Sequence, residues 1–284
     1  MSTIIPPSEY LHMETKSLRV GTKIIKKTLY VGENSDTLYL GGHTKFCVDA
    51  LIHTPGSSFE KRGIDISDAF LSHLYYDKSC SFDGNFRRGI DSTMILNLFI
   101  SYIKRNYPHI KTVSFTDSSY RTCDDGQDIE LSEMYYIRTG KTWYQSRFHA
   151  YIDPMDERKF KQCEERFQKA KKTMSWNEMK GYIKGTLPIY ESVMQYMFEN
   201  SNSWQEFFGK LSDDIGISEF CSFMAPWLHR FIETEMRFYF SSARFIIPLD
   251  QIEAIDYTEE EYSTGGRRFT HKNRKSRRMK YTTH

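Results

Sequence analysis

Between residues 86 and 93 the chain reads Phe86-Arg87-Arg88-Gly89-Ile90-Asp91-Ser92-Thr93, and an apolar helical pattern starts directly behind it. A glycine-containing turn at a helix N-terminus aims several backbone N–H groups at one point, which favours an anion such as a phosphate. The guanidinium of Arg87 or Arg88 adds attraction, and Ser92 or Thr93 can donate a hydroxyl. Asp91 works against such a site. A carboxylate facing a diphosphate across a few ångströms costs on the order of 1 kcal/mol or more, and its Cβ crowds the close approach that glycine allows. The alternative role for Asp91 is local, since aspartate is a favoured N-cap and would fill the anion position from within.

The elements that must hold this turn are legible on either side of it. Residues 69–76 carry Phe70, Leu74 and Tyr76 at alternating positions and predict a strand leading in. Met94, Ile95, Leu98, Phe99, Tyr102 and Ile103 recur at helical spacing and predict a helix over 92–106, ended by Pro108. A strand follows over 112–116, with Asp117-Ser118-Ser119 as the loop beyond it. Residues 131–138 read as a short helix stopped by Gly140, and 143–152 as partly extended. Upstream, residues 27–31, 37–41 and 45–52 read as strands. The turn signal Gly32-Glu33-Asn34-Ser35-Asp36 and the pair Gly41-Gly42 separate them, which makes an antiparallel meander. Residues 1–26 read as an irregular lead-in.

The pattern changes after Pro154. Residues 156–172 form a charged helix, and Ser175-Trp176-Asn177-Glu178 and Ser203-Trp204-Gln205-Glu206 each open another. Phe220, Phe223, Met224, Trp227, Leu228, Phe231 and Ile232 make an apolar stripe that reads as core, kinked or restarted at Pro226. Residues 243–249 read as a late strand returning to the sheet.

The 284 residues suit one large domain or two small ones, and 39% apolar with 27% charged residues is a globular composition. The run of about 18 apolar residues that a membrane helix needs is missing, and residues 1–7 lack the basic and apolar regions of a signal peptide. Cys47, Cys80, Cys123, Cys163 and Cys221 show no metal-ligand spacing and are odd in number, so free thiols in a cytoplasmic or other reducing compartment are expected. Eight of the 39 Lys and Arg residues fall in 265–284 without any acid, leaving 31 basic against 37 acidic residues elsewhere. Such a tail suits weak, salt-sensitive contact with nucleic acid or another polyanion, or an acidic protein surface. With only Phe269 and Tyr281 there, base stacking is poorly supported.

Strand, anion-binding turn, long helix, strand, short helix and aromatic segment is also the order of the acetyl-CoA-binding core of the GNAT superfamily of N-acetyltransferases, which residues 28–152 resemble. Gly89 matches the first glycine of that superfamily's turn, while Asp91 occupies the second small position. Thr142-Trp143-Tyr144-Gln145-Ser146-Arg147-Phe148 resembles its tyrosine-then-"GF" segment, with Arg147 in place of the glycine. Gly140-Lys141-Thr142-Trp143-Tyr144 is similar to a segment of GNAT-like proteins of large DNA viruses, which tend to carry a helical extension. The resemblance implies an α/β (α+β) fold: a mixed, mostly antiparallel sheet flanked by helices. It divides the chain into a lead-in (1–26), a core (27–153), a helical extension (154–255) and a basic, flexible tail (256–284).

For activity the resemblance implies acetyl transfer from acetyl-CoA to an amine. The cofactor would lie on Arg87, Arg88, Gly89, Ile90, Asp91, Ser92 and Thr93, with Ser118 as a further contact. Tyr144 stands where the superfamily has its acid, with Tyr135 and Tyr136 as back-ups, and Asp117 would orient the amine. No base stands out. Asp124, Asp125, Asp128 and Glu130 lie in the right loop but read equally as solvated surface, and His43, His73 and His149 have no partner spacing that suggests metal or a nucleophile. Two other functions are open. The departures at Asp91 and Arg147 suit a catalytically degenerate fold used as a structural or interaction protein, such as a capsid or virion component. The tail suits a polyanion-binding module.

Overall fold

The strands in the first third of the chain pair in sequence order. A computed structural model describes residues 10–43, 45–74, 77–87, 89–183 and 191–262. Strands β1 (Tyr10–Val20), β2 (Lys23–Gly32), β3 (Ser35–Gly41) and β4 (Phe46–His53) form the antiparallel meander. A short helix α1 (Ser58–Lys61) leads to β5 (Asp68–Leu74), again antiparallel to β4. Helix α2 (Ile90–Asn106) then crosses over, and β6 (Thr112–Thr116) lies parallel to β5. Its apolar stripe behaves as the periodicity requires, with Ile95, Leu98, Phe99 and Ile103 fully buried.

Beyond β6 come a small hairpin of β7 (Tyr120–Thr122) and β8 (Asp128–Glu130), then helices α3 (Leu131–Thr139) and α4 (Trp143–Phe148), and β9 (Tyr151–Ile152). The extension holds α5 (Pro154–Thr173), α6 (Trp176–Lys180), α7 (Glu191–Glu199), α8 (Trp204–Ile215), α9 (Ile217–Met224) and α10 (Leu228–Phe231). Strand β10 (Arg244–Pro248) returns to the sheet between β6 and β9, as expected for residues 243–249, and β11 (Thr258–Glu261) closes the far edge beside β1. The result is a mixed, mostly antiparallel sheet of nine strands in the order β11-β1-β2-β3-β4-β5-β6-β10-β9, flanked by helices.

The join between β5 and β6 decides where a site can form. The two strands pair only at Asp68↔Thr112, Ala69↔Val113 and Phe70↔Ser114, whereas β5 runs on to Leu74 and β6 to Thr116. Their amino ends are clasped. The Asp68 carboxylate accepts from Thr112 Oγ1 at 2.8 Å, Ser114 Oγ at 2.5 Å and Arg244 Nη2 at 2.8 Å, and Lys111 N donates to Ser67 O at 2.6 Å. Past Ser114 the carboxyl ends part, and open-sheet proteins place ligands at such a point.

Several expectations change. Residues 10–20 are a strand and not part of an irregular lead-in; Gly21, at φ 55°, makes the two-residue turn into β2. The tail reading fails for residues 258–261, which pair with β1, while residues 263–284 lie outside the described residues. Strands β1 and β11 are held by Lys27 of β2, buried at 2% exposure, which donates to Glu14 and Glu259 at 2.5 Å each and to the Tyr102 hydroxyl at 3.3 Å. Residues 143–148 are helical, because Thr142 and Gln145 form a capping box. As expected, the apolar stripe is core, with Phe220, Met224, Leu228, Phe231 and Ile232 fully buried and the helix interrupted around Pro226.

The expectation of five free thiols holds only for Cys163. Cys47 of β4 pairs with Cys80 in the segment between β5 and α2, and Cys123 with Cys221, which ties the loop behind β6 to α9. Among the described residues no helix is long and apolar enough to cross a membrane. Alkylation of unfolded, unreduced protein is expected to label Cys163 alone, read by peptide mass mapping; labelling at Cys123 or Cys221 contradicts the pairing. Opening the link across a separation of 98 residues should cost on the order of 4 kcal/mol in urea unfolding.

Candidate functional site

The turn forms as the sequence suggests, but its anion position is taken. Gly89, at φ 82°, is the N-cap of α2, a backbone angle that glycine adopts without strain. Asp91 is therefore the second helical residue and not the N-cap expected from its type. Its side chain, 6% exposed, folds back so that Oδ2 accepts from Arg87 N at 2.5 Å. Arg87 Nε stands 3.5 Å from the same oxygen and Lys23 Nζ 3.8 Å. An acid in the first helical turn is stabilised by the helix dipole, and here two cations and an amide hold it.

The other turn residues fall around this plug. Arg87 and Ile90 are exposed, Ser92 is half-buried, and the Thr93 hydroxyl donates to Gly89 O at 2.7 Å. Arg88 lies outside the described residues. The three side chains named for the far side of the site separate. Ser118 is exposed, while Asp117 and Tyr144 are both buried and close enough for their charges to interact.

Asp117 accepts from Ser119 N at 3.1 Å and from the Ser119 hydroxyl. Burial pushes its carboxyl up to about 6; the Ser119 bonds oppose the rise and the Glu130 charge adds to it. Tyr144 packs its ring 4.4 Å from Phe115 and 4.8 Å from Trp143. Burial first, and the Asp117 charge second, hold its hydroxyl far above the ordinary tyrosine value, away from the match with a thiol that a proton donor to a thiolate needs. Tyr136 is buried as well and donates to Glu164 at 3.1 Å.

The three histidines named in the sequence each have local neighbours. His43 stacks on Phe82 at 4.0 Å, His73 faces Asp49 at 3.5 Å, and His149 is the left-handed cap of α4. A fourth histidine was not foreseen. His229, on α10, places Nδ1 2.9 Å from Glu133 Oε1 and 3.9 Å from Glu130 Oε1, both at the start of α3. Glu133 is 1% exposed, and its Oε2 and that of Glu130 are buried without a hydrogen-bond partner. Burial pushes Glu133 up to about 7, with the Glu130 charge adding to the rise. Burial opposes the charged form of His229, yet the Glu133 contact outweighs it and raises the pKa.

Asp117, Glu130, Glu133 and His229 thus line the loop and helix behind the carboxyl end of β6. Asp117, Glu133 and His229, whose protonation is shifted by burial and neighbouring charge, mark a candidate site on physical grounds. The one signal in the chain was the Glu130-x-x-Glu133 spacing at a helix start. His229 sits inside an apolar stripe and gave none.

Comparison with protein-family models, with curated proteins and with solved structures finds no match in any of the three.

Asp117 carries a pH signature. Its folded value of about 6 lies above the ordinary 3.8, so the native state keeps a proton that the unfolded chain has released. Its contribution to stability is then full below about pH 4 and lost as pH rises through about 6. Asp117→Asn is expected to remove that fall, improving stability relative to the parent by on the order of 3 kcal/mol between pH 4 and 7. Urea unfolding at stepped pH reads it; parallel curves for the two proteins contradict the assignment.

Proposed function

We propose that this chain is a GNAT-like fold that works as an interaction or structural protein, its phosphate turn closed by its own side chain. One observation carries the reading: the Asp91 carboxylate occupies the Arg87 amide and faces Lys23 at the head of α2. A diphosphate entering there must expel a buried, hydrogen-bonded carboxylate, which costs about 1–3 kcal/mol for the lost bond alone, and must then tolerate its charge. Tyr144, the residue named for proton donation, is sealed among Phe115, Trp143 and Phe148.

Two further features support a binding role. Tyr10, Tyr30, Tyr39 and Phe46 form a row across β1 to β4 with ring centroids 4.7–5.7 Å apart, and Lys26 lies over Phe46. The row is only half-buried, and rigid aromatic surface of this kind is favoured at protein interfaces. Two disulfides suit an oxidising setting such as a virion better than a reducing cytoplasm.

Acetyl-CoA-dependent transfer to an amine is the second reading, favoured by the parting of β5 and β6 behind a crossover helix. Calorimetric titration separates the two. The parent protein is expected to give no binding heat with acetyl-CoA up to about 1 mM, a bound of roughly −4 kcal/mol. Micromolar binding by the parent, with thiol release in the presence of amines, overturns the interaction reading. Asp91→Gly, which removes the plug, is the variant in which weak binding should first appear.

A further inference from the structure

The acid–imidazole cluster between α3 and α10 is left unused by that reading and does not depend on it. We propose that Glu130, Glu133 and His229 form a binding site for a first-row divalent cation of the zinc class.

Three features point the same way. First, one ligand atom from each residue lies within 4.8 Å of the other two. A tetrahedral ion with bonds of about 2.0–2.2 Å places its ligand atoms about 3.3 Å apart. The distances from His229 Nδ1, 2.9 Å to Glu133 and 3.9 Å to Glu130, bracket that spacing. Small side-chain rotations therefore close the site.

Second, the cluster is short of positive charge. Glu133 Oε2 and Glu130 Oε2 are buried and accept no hydrogen bond, although unmet buried acceptors of this kind are rare and destabilising. The Glu133 side chain is 1% exposed, so water does not relieve it. The Glu233 carboxylate adds a further negative field and has its own partner, the Tyr239 hydroxyl at 2.8 Å. His229 is the sole cation-capable side chain that contacts the pair among the described residues, and a dication supplies what one imidazole cannot.

Third, the donor set selects the ion. One imidazole and two carboxylates suit zinc, manganese or ferrous iron, while calcium and magnesium favour all-oxygen shells and copper(I) favours sulfur. Three protein ligands leave the fourth position of a tetrahedral ion open to water, since His229 is half exposed. The ion would tie α3 of the core to α10 of the extension. The same two parts are already linked nearby by the Cys123–Cys221 disulfide and by Ser218 donating to Asp124.

The test uses the full chain, stripped with chelator and titrated with zinc chloride by calorimetry. A single tight site with Kd below about 10 μM, roughly −7 kcal/mol, is expected, with a rise in melting temperature on loading. His229→Ala, at a half-exposed position, and Glu133→Gln, which keeps shape and a donor, should each weaken that site by about 100-fold. Melting curves of the metal-free variants check that both fold. Cobalt substitution gives a second readout: visible bands of a four-coordinate ion in the parent and their loss in His229→Ala. No zinc binding by the parent overturns the proposal. So does zinc binding that both variants retain unchanged, which would place the ion on other histidines.

Discussion

The Asp68 carboxylate is the point on which this fold turns. It accepts from Thr112 and Ser114 of β6 and from Arg244 of β10, so one side chain on β5 holds the two strands that follow it in the sheet. Without that clasp the sheet would be a six-strand block from β11 to β5 and a three-strand block of β6, β10 and β9, joined by three backbone pairs. Placing the clasp at the amino ends leaves the carboxyl ends of β5 and β6 to part. The turn before α2 lies instead over the start of β2, where Asp91 faces Lys23, while the loop after β6 carries Asp117.

At both places the chain satisfies itself. Asp91 answers the amide of Arg87, and Asp117 takes the donors of Ser119. The aromatic residues close the remaining space: Tyr144 lies on Phe115, and Phe115 stacks on Phe245 of β10 at 5.7 Å. Farther out, Trp204 is fully buried between Phe167 and Phe231, and its indole N–H donates to Phe167 O at 2.7 Å. The extension thus carries buried aromatic side chains of its own. The pair of carboxylates beside His229 is not satisfied in this way: Oε2 of Glu130 and Oε2 of Glu133 are buried without a hydrogen-bond partner.

How far this could be read beforehand follows from the range of the forces involved. The meander, α2, β6 and β10 were legible because their apolar residues repeat with the period of the element they form. Strand β1 was missed because little of it but Leu18 and Ser17 is buried, so no alternation marks it. Strand β11, Thr258-Glu259-Glu260-Glu261, is exposed throughout and held by Arg19 and Lys27 far away in sequence, which leaves no local trace. The capping box at Thr142 lies in the chain itself and outweighs the extended pattern of residues 143–152.

The site was legible in its turn and not in its chemistry. Gly89 and the helix start were readable from local rules, and the conflict at Asp91 was visible as a charge in a place meant for an anion. Its resolution depended on Lys23, which only the folded sheet brings near. Glu133 and His229 are 96 residues apart, and the two disulfides span 33 and 98, so only the tertiary fold could pair them.

Amide hydrogen exchange across the sheet tests the clasp most directly. In the parent, Ala69, Phe70, Val113 and Ser114 are expected to exchange among the slowest amides of the chain. In Asp68→Ala these positions and β10 should exchange faster by about tenfold or more, a local loss of roughly 1.4 kcal/mol, while β2 and β3 stay as they were. Equal rates at the join in both proteins would contradict the account.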